Sequence, residues 1–263
     1  MNRSEFDSPR LSAYGYTGLV ILFLLLPILL GAVVSFSSGD RLEFPLPGFS
    51  LRWFQEAWRN VQFVDGLWNS LIIATCSAAL ATVAGTGAAI ALNHYRFKGD
   101  ALVQIAVMLP VSLPGIVLGL GLLFVLSTYG MRPGKVAAIF GHATVSIPYV
   151  VAMVTAALSN YDRALERASL NLGVSPARTF FQITLPLIRG GVIAGAISAF
   201  LISLDNVSLS LFITRGDTLP LRLMQQLLFY ADPSIAAMAT ILLALSFGLF
   251  LLMLPIMMWK RSH

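Results

Sequence analysis

Six long intervals with a single formal charge among them constrain this chain more than any motif does. They lie at residues 14–36, 67–92, 101–129, 136–160, 190–213 and 233–259, and the only Lys, Arg, Asp or Glu inside them is Asp205. A helix crosses a bilayer's hydrocarbon core in about 20 residues, so each interval is long enough to span. Composition agrees: 57% of the residues are hydrophobic, 11% are charged and the mean hydropathy is +0.81. Those values lie outside the range of soluble globular chains. The expected fold is an all-α polytopic membrane protein of about six transmembrane helices. It comprises an N-terminal segment at 1–13 and a single membrane domain at 14–263. The apolar stretch from Leu19 to Leu30 exceeds a typical signal-peptide core, and no small-residue cleavage site follows it.

Six spans put both termini on one side. If that side is the cytoplasm, ten of the 17 Lys and Arg residues fall in inside segments and seven in outside ones. This bias favours cytoplasmic termini under the positive-inside rule. The net charge of +5 is then read as a topology signal rather than as an affinity for nucleic acid. In the first outside segment, the turn cluster Pro45-Leu46-Pro47-Gly48 precedes Leu51-Arg52-Trp53-Phe54. That stretch predicts an amphipathic helix to about Trp58, with Trp53 and Trp58 as interface anchors.

The same count places residues 161–189 in the cytoplasm, and this interval is too ordered for a linker. Leu165, Ala168 and Leu172 share one face of a short helix, and Arg163, Glu166, Arg167 and Asn171 take the other. Gly173 supplies a helix stop. Ser175-Pro176 reads as N-cap and first position of a second helix, and Pro186 marks the entry to the next apolar run. Such detail predicts a docking element.

Small residues recur along two spans, at Ala74, Ala78, Ala81, Gly85 and Ala88 and again at Gly191, Gly195 and Ala199. In lipid such stripes let helix backbones approach. The third span carries Pro110, Pro114, Gly115, Gly119 and Gly121. That pattern suits either a kinked bundle helix or a broken one lining a wet path.

Signals for catalysis are weak. Gly130-Met131-Arg132-Pro133-Gly134-Lys135 is one residue short of a phosphate loop, lacks the Ser or Thr after lysine and follows a span instead of a strand. His94, His142 and His263 show no ligand spacing, and His142 is read as a hydrogen-bonding group between helices. The lone Cys76 offers neither disulfide nor thiolate metal site. No catalytic, cofactor-binding or metal-ligating residue is assigned. A carboxylate within a span usually faces the bundle interior or water, which makes Asp205 the most informative residue. Asp205, with Asn206 and Ser208, reads either as the lining of a solute path or as a hydrogen-bonding cap at a helix break. Ser198 and Ser208 are expected on the face that Asp205 occupies.

The cytoplasmic interval resembles the signature of bacterial ATP-binding-cassette (ABC) importer permeases: Glu-Ala-Ala, three residues, Gly, nine residues, then Ile-x-Leu-Pro. Gly173 is followed after nine residues by Ile183-Thr184-Leu185-Pro186. In the first half, a gapless fit sets Arg167-Ala168-Ser169 on Glu-Ala-Ala, with Glu166 one position early. Further segments are similar to the spermidine/putrescine subfamily, namely Phe49-Ser50-Leu51-Arg52-Trp53-Phe54, Asn69-Ser70-Leu71, Tyr95-Arg96-Phe97-Lys98-Gly99 and Ile147-Pro148-Tyr149-Val150. So are the run from Ser203 to Phe212, Thr218-Leu219-Pro220-Leu221 and Ala236-Ala237-Met238-Ala239-Thr240. Relatives often carry a second acid where this chain has Asn206.

The resemblance implies the type I importer permease fold, in the bacterial inner membrane, with no catalytic site of its own. It implies a homologous second permease, a dimer of cytoplasmic ATPases that bind ATP and Mg, and a substrate-binding protein outside the membrane. It assigns ATPase coupling to Leu165, Glu166, Arg167, Ala168, Leu172, Gly173, Ile183, Leu185 and Pro186. The expected solute is a polyamine or related small amine, with an aminophosphonate or opine-like compound as the alternative. An ion-coupled secondary transporter is the alternative of another class. It would need coupling acids or broken helices repeated in two halves, and one intramembrane acid and no clear repeat are visible.

Overall fold

The computed structural model describes residues 8–95, 97–159, 162–229 and 232–258, with side chains over 13–251 of that range. It is helical, and among the described residues the one β pairing is an isolated bridge between Ser37 and Phe49. In order come α1 (Ser8–Val34), α2 (Arg52–Arg59), α3 (Val61–His94), α4 (Asp100–Ser112), α5 (Gly115–Thr128) and α6 (Lys135–Leu158). Then follow α7 (Ala164–Asn171), α8 (Pro176–Thr179), a π turn (Phe180–Thr184), α9 (Leu185–Leu204), α10 (Val207–Ile213), α11 (Leu219–Phe229) and α12 (Pro233–Met258). Asn160 and Trp259, expected as the last residues of two spans, lie outside the described residues.

Among the described residues, five helices are long and apolar enough to cross a membrane: Ala13–Val34, Val61–His94, Lys135–Leu158, Pro176–Leu204 and Pro233–Leu251. The sixth interval, 101–129, is a pair of helices bent by 114° between Ser112 and Gly115. At 13 and 14 residues, α4 and α5 are each about 20 Å long, short of a roughly 30 Å hydrocarbon core. Leu113 is extended and Pro114 caps α5. The residue before a proline avoids the helical region, which accounts for the break.

The fifth span starts 14 residues earlier than the uncharged interval, at Pro176 instead of Gly190. The uncharged interval begins at Gly190, whereas the helical run extends back through Arg189 and Arg178 to Pro176. Pro186 does not interrupt it. A proline lacks the N–H that would pair with the carbonyl four residues back. The wider turn at Phe180–Thr184, with Leu185 N–H reaching Phe180 O, comes just before Pro186 and opens the ladder where that bond is missing.

Contacts divide the chain into two units, Met1–Val61 with Gln225–Ala244, and Gln62–Met224 with Leu245–His263. In the first, Ser50 N–H donates to Phe36 O at 2.8 Å and Ser38 N–H to Gly48 O at 3.0 Å, folding the segment after α1 back on itself. Trp53 is only 5% exposed, and its Nε1–H donates to Gly39 O at 2.9 Å. It is thus a core residue of this loop instead of an interface anchor, while Trp58 is exposed. Arg52 bonds Glu56 at 2.7 Å and Asp40 at 3.0 Å, and the Glu56 bond raises the already high pKa of its guanidinium.

The second unit is built on α3, α6 and α9, and the small-residue stripes form its seams. A methyl group on Gly85 would lie 2.8 Å from Val150 Cβ, and one on Gly195 3.1 Å from Val150 Cα. One on Gly191 would lie 2.7 Å from Met153 O. Ala81, Val150, Val154, Ile188 and Ala199 fill this core. A second cluster joins α3, α6 and α10 through Ile73, Ala138, Leu209 and Ile213. Asn69 Nδ2–H donates to Asp217 O at 3.0 Å, and Leu219 N–H to Ser70 Oγ at 2.9 Å, pinning the start of α11 to α3.

Candidate functional site: a capped helix and a recess at a helix break

Helix α7 is a self-contained capped unit. Asp162 Oδ1 accepts from Ala164 N–H at 2.8 Å at its start. At its end Gly173 adopts φ +81°, Gly173 N–H bonds Leu170 O at 3.0 Å and Val174 N–H bonds Ser169 O at 3.2 Å. This is the Schellman pattern, which needs the left-handed conformation that glycine adopts without strain. Ser175 caps α8, its Oγ accepting from Arg178 N–H at 3.4 Å, with Pro176 following.

The two faces of α7 divide sharply. Leu165 is 51% exposed, Leu172 is 84% exposed, and Ala168 and Arg167 are exposed too. The opposite face is tied down. Ser169 Oγ and Thr179 Oγ1 form a buried pair at 2.9 Å. Glu166 Oε2 lies 2.9 Å from His94 Nε2 at the end of α3, and Glu166 Oε1 accepts from Thr184 Oγ1 at 3.1 Å. Arg163 reaches across to the carbonyl of Asn93. Glu166 therefore sits on the inner side of α7, away from Leu165 and Leu172. A groove of about 490 Å³ lies beside it, lined in part by Ile90, Tyr95, Arg167, Leu170 and Phe180. Thr184 is fully buried, Ile183 and Leu185 are half-buried, and Pro186 is exposed. No sequence spacing could have paired Glu166 with His94, 72 residues away.

At the other end of α9, Leu204 is the last helical residue and Asp205 is the C-cap. Asn206, extended at ψ 97°, caps α10 by accepting from Leu209 N–H at 2.9 Å through Oδ1. The break foreseen at Asp205-Asn206 is thus present, and Asn206 is the residue that caps it. Asp205 is exposed. With Leu201, Ile202, Asn206, Val207 and Ser208 it lines an open recess of about 530 Å³. Ser208 reaches that recess from α10, so it is not on a helical face continuous with Ser198 in α9. Its Cβ lies 3.0 Å from where a methyl on Gly115 would be, so the small residue at the start of α5 leaves room for it.

His142 of α6 is 1% exposed, with Nδ1 2.8 Å from Ser203 Oγ and Nε2 3.3 Å from Ser210 Oγ. It bonds across helices as its position implied, although nothing in the sequence identified its two serine partners. Among the described residues, no three His, Cys, Asp or Glu side chains cluster as they would around a metal ion.

Residues 81–257 match the family model of the binding-protein-dependent transport system inner membrane component, which takes in both α7 and the recess. The chain belongs to this family. It is 32% identical over 239 residues to the spermidine/putrescine transport system permease protein PotC of Escherichia coli strain K12, covering 90% of each chain. It is also 32% identical over 230 residues to the putrescine transport system permease protein PotI of that strain, covering 84% of this chain and 82% of the relative. Among solved structures, the permease fold is shared with a bacterial ABC transporter involved in import of the acidic polysaccharide alginate. That match has a TM-score of 0.68 at 17% identity over 99% of both chains. The MetNI methionine ABC transporter matches with a TM-score of 0.63 at 20% identity, over 77% of this chain and 96% of that one. The protein is a multi-pass inner-membrane permease subunit of an ABC importer, with the type I importer permease fold. As a member of this family it works with a substrate-binding protein and an ATPase carried on a separate subunit.

Proposed function

We propose that this permease imports a polyamine or related small amine as one of two homologous membrane subunits. The observation that carries the reading is the 32% identity, over nine tenths of the chain, to a spermidine/putrescine permease. The exposed carboxylate of Asp205 in an otherwise uncharged recess supports it, because an ammonium group passing there meets an opposite charge. In this reading both termini face the cytoplasm. Two ATPase subunits bind ATP and Mg, and the outward face of α7, formed by Leu165, Ala168, Leu172 and Arg167, seats in a groove of one of them. Gly173, Ile183, Leu185 and Pro186 shape the return of the chain into α9. Glu166 takes part from the inside by holding α7 to α3 and to the π turn.

The test is the complex of this chain, its second permease, the ATPase and the binding protein, reconstituted in vesicles. Putrescine-loaded or spermidine-loaded binding protein is expected to stimulate ATP hydrolysis and to drive uptake of labelled amine. Asp205→Asn is expected to lower uptake on the order of tenfold, the scale of one charge-assisted contact. Stimulation by aminophosphonates but by no amine would overturn the solute class. Wild-type uptake in Asp205→Asn would remove the recess from the path.

A further inference from the structure

We infer that His142 is a positioning residue for the solute path: it staples together the two halves of the helix broken at Asp205-Asn206 and so sets how both residues face the recess. The inference rests on the reading of the recess as that path. Across the break, α9 and α10 are joined by only two residues, and Asn206 is extended. A seven-residue helix on such a joint needs outside references to hold its direction. Ile73 and Ala138 grip its apolar side through Leu209 and Ile213, and His142 ties it to α9 itself, touching Ser203 in the last turn of α9 and Ser210 in the middle of α10.

The proton placement follows from donor counting. Ser210 Oγ–H has one proton, and it donates to Asn206 O at 2.6 Å. Toward His142 Nε2 the same oxygen must accept, so Nε2 carries the ring proton. Nδ1 is then the bare nitrogen, and Ser203 Oγ–H donates to it. The chain of donors runs from Ser203 through His142 and Ser210 to the backbone carbonyl of Asn206, inside the joint itself. Ser203, Ser210 and His142 are all buried, so losing one link leaves another polar group without water to replace it. A rigid ring with an acceptor on one edge and a donor on the other suits this bridge better than a flexible amide.

The experiment compares His142→Ala, the milder Ser203→Ala and Ser210→Ala, and Ser203→Thr in the full reconstituted complex, with Asp205→Asn alongside. Hydrogen exchange of the amides at 205–211 reports on the joint. Uptake of putrescine and of spermidine reports on the path. Removing His142 or either serine hydroxyl is expected to speed exchange there on the order of tenfold. It is also expected to change the ratio of putrescine to spermidine uptake by about threefold or more, whereas a purely structural loss would lower both in proportion. Ser203→Thr, which keeps the hydroxyl, is expected to behave as wild type. The double variant His142→Ala/Ser210→Ala is expected to be no worse than His142→Ala, because both changes cut one chain. Unchanged exchange in all three alanine variants would overturn the staple, as would a proportional fall in both uptakes. Failure of the recess reading has a different signature: Asp205→Asn transports normally while His142→Ala still loosens the joint.

Discussion

Glu166 offers the sharpest test of how α7 is coupled to the membrane domain. Its carboxylate bonds His94 Nε2 at 2.9 Å and Thr184 Oγ1 at 3.1 Å, with side-chain exposures of 20% for Glu166 and 13% for His94. His94 Nδ1 is already buried without a hydrogen-bond partner among the described residues. Glu166→Ala would strip the ring's other nitrogen as well. Leaving a buried polar group unpartnered costs about 1–3 kcal/mol. Thr184, inside a helical run, can turn its hydroxyl to a nearby backbone carbonyl, so most of the loss falls on His94. A loosened α7 spends that energy as a weaker bias between transport states. About 1.4 kcal/mol of coupling is a factor of ten. The expected result is a fall of roughly five- to tenfold in the stimulation of ATP hydrolysis by loaded binding protein, with the complex still assembled. Glu166→Gln, which keeps one bond, should fall between. His94→Gln should reproduce most of the defect although His94 is not on α7. The reasoning is refuted if Glu166→Ala loses stimulation while His94→Gln and Thr184→Val keep it, since Glu166 would then act outward on the ATPase.

Other outcomes follow from the same geometry. A side chain on Gly173 would enter open space, and aspartate tolerates positive φ better than most residues, so Gly173→Asp should fold. It should nonetheless assemble a complex whose ATPase no longer responds to loaded binding protein, and intact stimulation would count against α7 as the coupling contact. Gly191→Leu would drive a side chain into Met153 O and Ala157 at the α6–α9 seam. It should cost about 1–3 kcal/mol, read as a lowered melting temperature of the detergent-solubilised complex; an unchanged one would contradict the seam. Trp53→Phe keeps a ring but leaves Gly39 O unpaired, a loss of about 1 kcal/mol. Faster proteolysis within residues 37–50 is the expected sign, and wild-type resistance would argue against the bond holding that loop.

Much of this was legible in the sequence because hydrocarbon imposes simple rules. Uncharged length located the helices, and Gly173, Ser175 and Pro176 announced their caps by residue type. What charge could not reveal is where a helical run continues beyond an uncharged interval, as the run that ends in α9 does by starting at Pro176. Nor could it reveal that the helices on either side of Leu113-Pro114 are bent by 114°. Side-chain partnerships were the least visible. Glu166 with His94, His142 with Ser203 and Ser210, and Asn69 with Asp217 all join residues more than 60 positions apart. The short resembling segments Asn69-Ser70-Leu71 and Thr218-Leu219-Pro220-Leu221 looked unrelated, yet Ser70 and Leu219 bond directly. Trp53 was misread because an amphipathic helix beside a membrane suggests an anchor, while this tryptophan instead closes its own loop.

The 20 residues of α9 form a rod about 30 Å long. Helix α7 is fastened just ahead of the rod's start through Thr179 and Thr184, and Asp205 caps its far end. In the proposed reading, solute preference and energy supply thus occupy opposite ends of one stiff part, and neither end contributes side chains to the other. Exchanging the residues around the tip can therefore retune what is carried while the engine's socket stays as it is, so a single chassis of this kind can be refitted for new cargo one recess at a time.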